Sequence, residues 1–132
     1  MKALLFTVME IRTEQEIITV SGRTSTGIVA GIWKADRLSP VIGESYQIEL
    51  DFTVTERNAV TVQKAPVKAC TEIRGHNIRF TALCESIDEI YYLRFGFDGL
   101  EMLEIAHDDG TIQEGDFISF EKEIREIGIY PY

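Results

Sequence analysis

The ten residues SYQIELDFTV, 45–54, alternate apolar and polar side chains without a break. Tyr46, Ile48, Leu50, Phe52 and Val54 fall on one face, and the polar residues fall on the other. In a strand, side chains point alternately to the two faces, so this pattern predicts a half-buried antiparallel strand. The same period returns in NIRFTALC, 77–84, where Ile78, Phe80, Ala82 and Cys84 share a side. It returns again in YYLRFGF, 91–97, through Tyr91, Leu93, Phe95 and Phe97. No long window carries a helical stripe, and at most a short helical turn is expected near Lys34–Leu38 or Glu85–Glu89.

Turn signals divide these runs. FDGL (97–100) and HDDGT (107–111) contain Asp-Gly, in which glycine accepts the positive φ of a tight hairpin. SGRTSTG (21–27), LSPVIG (38–43) and RGHN (74–77) are further breaks. The count predicts an all-β chain of about ten mostly antiparallel strands.

The runs also recur in order. Gly27, Gly43, Ile48 and Glu49 match Gly99, Gly115, Phe120 and Glu121 at an offset of 72. Ile17 and Val20 match Ile90 and Leu93 at 73, and Phe6-Thr7 matches Phe80-Thr81 at 74. Val60 and Val62 would then correspond to Ile127 and Ile129. Any two alternating segments share some of this, but the preserved order predicts an internal duplication. The halves are residues 1–64 and 65–132, joined at QKAPVKA and packed as one compact unit. Five strands each is the layout of a small barrel of the oligonucleotide-binding or SH3-like type, and a single sandwich across both halves is the alternative.

Net charge is −9 and uneven. Residues 1–66 carry eight acids and seven bases, whereas residues 67–132 carry fourteen acids and six bases. Between Asp98 and Glu123 nine carboxylates meet only Lys122. Such a field repels phosphate backbones and attracts cationic partners. Nucleic acid is therefore disfavoured, and a basic protein is the expected partner.

Catalytic signatures do not appear. The nucleophile elbow, the phosphate-cradling glycine loops and the spaced cysteines of a zinc site are missing, and HDDG lacks the register of a calcium loop. His76 and His107 read as turn residues, Cys84 as core and Cys70 as lying on a polar face. The sequence thus assigns no catalytic residue, no metal ligand and no cofactor. MKALLFTVMEI (1–11) reads as a first strand, with no small-residue cleavage site or membrane-length apolar run, and a cytoplasmic protein is expected.

The first expectation is a non-catalytic binding protein of the immunity-protein or nucleic-acid-mimic type. Asp98, Glu101, Glu104, Asp108, Asp109, Glu114 and Asp116 would be its steering charges, with Tyr130 and Tyr132 as anchors. Glu101 and Glu104 read as solvent-facing, and Pro131 as closing the last sheet edge. The alternative is a duplicated barrel that holds a small molecule or oligonucleotide through Arg23, Trp33, Lys34 and Arg37. A homodimer formed through open strand edges is the third reading.

Overall fold

A computed structural model describes residues 4–95 and 99–132, and it is almost wholly β. The strands are β1 (Leu4–Glu14), β2 (Ile17–Thr24), β3 (Gly27–Trp33), β4 (Ser45–Phe52), β5 (Thr55–Glu56) and β6 (Thr61–Gln63). After them come β7 (Cys70–Arg74), β8 (Asn77–Asp88), β9 (Ile90–Phe95), β10 (Gly99–Leu103), β11 (Ile105–Ala106), β12 (Phe117–Glu123) and β13 (Ile127–Pro131). The alternating runs become β4, β8 and β9, with the apolar members of these strands turned inward; Val54 falls past the end of β4 and is exposed. Phe97 lies outside the described residues.

Five strands close into a barrel rather than a sandwich. β1, β2 and β3 form an antiparallel meander, β4 returns to pair with β1, and β13 fills the gap between β4 and β3. β13 runs antiparallel to β4 and parallel to β3. β13 is therefore not an edge strand, and Pro131 pairs on one side with Ile48 of β4. It lies beyond the end of the β3 ladder, where Lys34 N donates to Ile129 O at 2.9 Å, so its missing N–H goes unused.

The second half is organised around β8. Phe80 has Thr71 of β7 on one side and Phe120 of β12 on the other, and Leu83 has Arg94 of β9 and Phe117 of β12. β10 continues the sheet from β9, while β6 pairs with β12. Both long strands, β1 and β8, carry a one-residue bulge, at Met9 and at Glu85. β4, by way of β5, and β12 each lead through a 3₁₀ turn, Arg57–Ala59 or Ile124–Glu126, into a short strand seated in the other half. These turns replace the helical turns expected near Lys34 and Glu85. Glu85–Asp88 simply prolong β8, and at Ile124–Glu126 the carboxylates of Glu123 and Glu126 cap each other's backbone.

One core serves both halves. Phe52, at the end of β4, packs its ring against Phe80 at 5.0 Å and Phe120 at 5.4 Å, both edge-on. Such aromatic pairs contribute roughly 0.5–1.5 kcal/mol each beyond the area they bury. Cys84 is buried within this core, and its thiol is pushed up to about 11 chiefly by desolvation. The Asp-Gly at 109–110 does not make a hairpin. β11 instead pairs parallel with β5, and the aspartates fold the chain locally by accepting from Gly110 N and Thr111 N.

The β1–β2 turn is built without glycine. Glu14 lies opposite Ile17, and the two residues between them, Gln15 (φ 50°) and Glu16 (φ 67°), occupy the left-handed region. Two-residue hairpins of this shape favour Asn-Gly, because a β-carbon is strained there. Replacing Gln15-Glu16 by Asn-Gly is expected to raise unfolding stability by about 1 kcal/mol. A thermal melt with no upward shift would show that the strain is relieved elsewhere.

Candidate functional site

Two surfaces carry chemistry, and the first is the acidic end of the second half. The loop 104–116 is tied to the core: Gly115 N donates to Cys84 O, and Cys84 N donates to Asp116 O, both at 2.8 Å. Glu114 accepts from Ile87 N at 3.1 Å, which brings the loop against the Asp88-Glu89 turn. Asp108 accepts from the Tyr91 phenol, whose ionisation is pushed up by burial and by that bond. Among the described residues, Asp88, Glu89, Glu104, Asp108 and Glu114 meet no cation within ion-pair distance. Lys122 does not balance them. It is buried, with Nζ donating to Thr53 Oγ1 at 2.8 Å and Val54 O at 3.1 Å, and desolvation lowers its proton affinity.

The other expected steering charges fare differently. Asp98 lies outside the described residues. Asp109 is exposed but occupied, holding Arg57 Nε at 3.1 Å and the Thr111 hydroxyl at 2.6 Å, and the threonine contacts lead in depressing its carboxyl. Asp116 is buried and structural: Lys64 Nζ sits 2.6 Å from its Oδ2, and Gln113 N donates to the same oxygen. Both contacts hold its proton affinity down, the lysine more strongly.

Glu101 is the clearest correction. It is 3% exposed, because Gly99, Glu101 and Leu103 share the inward face of β10. Its Oε2 accepts from Leu50 N at 2.8 Å, whereas Oε1 has no partner among the described residues. Burial pushes the carboxyl up to about 8, against the opposing effect of the Leu50 bond. Glu104, one step past β10, does face solvent.

Tyr130 and Tyr132 are exposed, but at the β13 end of the barrel, next to β4. Tyr130 lies opposite Glu49 across β13 and β4. Tyr132 N donates to Gln47 O at 2.9 Å, and a hydrogen bond to Glu49 raises its phenol to about 12. The alternative set is not a site around Trp33 either. That indole is 5% exposed, donates from Nε1 to Leu38 O at 2.6 Å and meets Tyr46 edge-on, so its ring cannot stack on a ligand. Arg23, Lys34 and Arg37 are exposed, and Arg23 lies opposite Ile28, toward the far end of β3 from Trp33.

The second surface is a groove that the sequence did not announce. Beyond the β1 bulge, the register aligns Glu10 with Ser21, Arg12 with Thr19, and Glu14 with Ile17. β3 extends two of these rows by Ala30 and Ile32. Facing them are Ile73, the Gly75-His76 turn and the segment Glu123–Arg125, locked together where Ile124 N donates to His76 O at 2.9 Å. A cavity of about 700 Å³ and an adjoining one of about 360 Å³ share Arg12, Thr19, His76 and Ile124. Arg125 spends its Nε on Glu123 at 2.6 Å, but Arg12 has neither ion pair nor hydrogen bond among the described residues. The three contributing segments are far apart in the chain. The only local signal is the polar alternation Glu10, Arg12, Glu14, which marks a strand face without saying what stands opposite.

No group of three or more metal-ligating side chains converges among the described residues, and no helix there is long and apolar enough to cross a membrane. Compared with known protein families, curated proteins and solved structures, the chain shows no match.

Proposed function

We propose that this chain is a non-catalytic, cytoplasmic binding protein, built by duplication of a five-strand unit, whose acidic end receives a basic macromolecular partner. One observation carries the reading: carboxylates without cation partners are displayed on a loop whose backbone is fixed to a buried strand. Ordering charges before contact lowers the cost of association, and unneutralised charges speed the encounter with a cation. Proteins that neutralise cationic toxins or DNA-binding proteins use the same physics. Glu101 and Asp116 are buried and take no part in steering.

The duplication reading draws on the common scheme of the two halves. In each, a bulged long strand, β1 or β8, starts three consecutive antiparallel strands, a later strand returns to pair with it, and a 3₁₀ turn follows; β7, which precedes β8, has no counterpart in the first half.

The test uses Asp88→Asn, Glu89→Gln and Glu104→Gln together, since none of these side chains supports the loop. A partner captured from native lysate at low salt should be released as salt rises. Its association rate with the triple variant should fall about tenfold at low salt, with little change in dissociation rate. An unchanged association rate and salt slope would remove the acidic end from the interface.

A further inference from the structure

The groove between the outer face of β1–β2–β3 and the His76 turn is separate from the acidic end, and its chemistry differs. We propose that it binds a small amphipathic monoanion, whose charged head sits on Arg12 and His76 and whose apolar body lies along Ile17, Ile32 and Ile124. Its volume, about 700 Å³ in the larger lobe, is in the range of small-molecule sites. Arg57, Arg94 and Arg125 each hold a carboxylate, whereas Arg12 lines a cavity with its guanidinium unclaimed. Guanidinium is suited to a carboxylate or phosphate oxygen pair.

Apolar surface is open at the same place. Ile17 is 52% exposed in the larger lobe, so a ligand's hydrocarbon part lying there would remove it from water. The strained Gln15-Glu16 turn forms the lip of the larger lobe, and strain of this kind collects at ligand sites.

The flanking acids define the class further. Glu10 and Glu14 share the outer face of β1 with Arg12, each roughly 6–7 Å from it along the strand. One anionic head fits between them. A phosphate backbone laid along the groove would meet a carboxylate on either side of its single cation, so an oligonucleotide is disfavoured.

The probe is decanoate below its micelle concentration, titrated into ¹⁵N-labelled protein, with 1-decanol as the uncharged control. Saturable shifts are expected at Arg12, Thr19, Ile32, His76 and Ile124. Decanol, and decanoate with Arg12→Gln, should each bind about tenfold more weakly, while Arg37→Gln should bind as the parent does. The free Arg12→Gln spectrum checks folding, and Arg12→Lys, which keeps the charge without the planar fork, should fall between. The proposal is overturned by shifts that do not saturate, by shifts centred on the exposed apolar loop Leu38–Ile42, or by Arg12→Gln binding decanoate like the parent.

Discussion

Gly31→Ala should cost the protein about 2–4 kcal/mol of unfolding free energy, a large share of what a domain this size has to lose. A β-carbon at residue 31 would stand 2.6 Å from Ile127 O, and 3.1 Å from both Ile127 Cγ2 and Ile129 Cγ1. The nearest atom is backbone, and it cannot turn aside as a flexible side chain would. Ile127 is fixed opposite Phe52, and its neighbour Gly128 opposite Ile32, so relief requires β13 to move as a unit. Moving it would open the barrel between β3 and β4 and expose Ile127 and Ile129, which are now fully buried. Urea titration of the parent and variant measures the loss. A midpoint shift worth less than about 0.5 kcal/mol would mean that β13 seats less closely than its hydrogen bonds imply.

Glu101→Gln should do the opposite, and by an amount that depends on pH. In the unfolded chain this carboxyl ionises near 4.5, whereas in the folded protein it keeps its proton to about 8. Between those values the folded state binds more protons, so stability falls as pH rises from about 4.5 to about 8 and levels off above that. The slope approaches about 1.4 kcal/mol per pH unit within the window. Glutamine mimics the protonated acid and keeps an oxygen for Leu50 N. The variant should therefore match the parent near pH 4 and exceed it by several kcal/mol, on the order of 4, above pH 8. Denaturation midpoints at pH 4.5, 7 and 9 suffice. Parallel pH dependence in the two proteins would show that water or a relaxed backbone solvates the buried carboxylate.

These two positions also show how much could be read from the chain. Strands β4, β8 and β9 were legible because one face of each is buried, and alternation is the direct imprint of that asymmetry. The all-β class followed from the number and shortness of the runs, which left a barrel and a sandwich both open. Glu101 reads as solvent-facing from its chemistry alone, whereas the alternation that puts it in phase with Leu103 and Ile105, both buried, points inward. Asp-Gly at 109–110 was misjudged because Asx hydrogen bonds offered the backbone a local alternative to a hairpin. The acidic end was visible as composition, but which of its carboxylates are engaged depends on Arg57 and Lys64, more than forty residues away. The groove was invisible for the same reason. Residues 10–21, 73–76 and 123–125 meet only after both halves are assembled.

The strands that cross between halves have a consequence for how the molecule is made. β13 supplies a stave of the barrel begun by β1, so on the ribosome residues 4–52 cannot close until residues 127–131 have emerged. The first four strands must wait, open-edged, for more than seventy further residues to be synthesised. Folding of this kind is governed by distant pairings and is slow for its size, and the waiting first half, with eight acids against seven bases, has little charge repulsion of its own to guard its open edges.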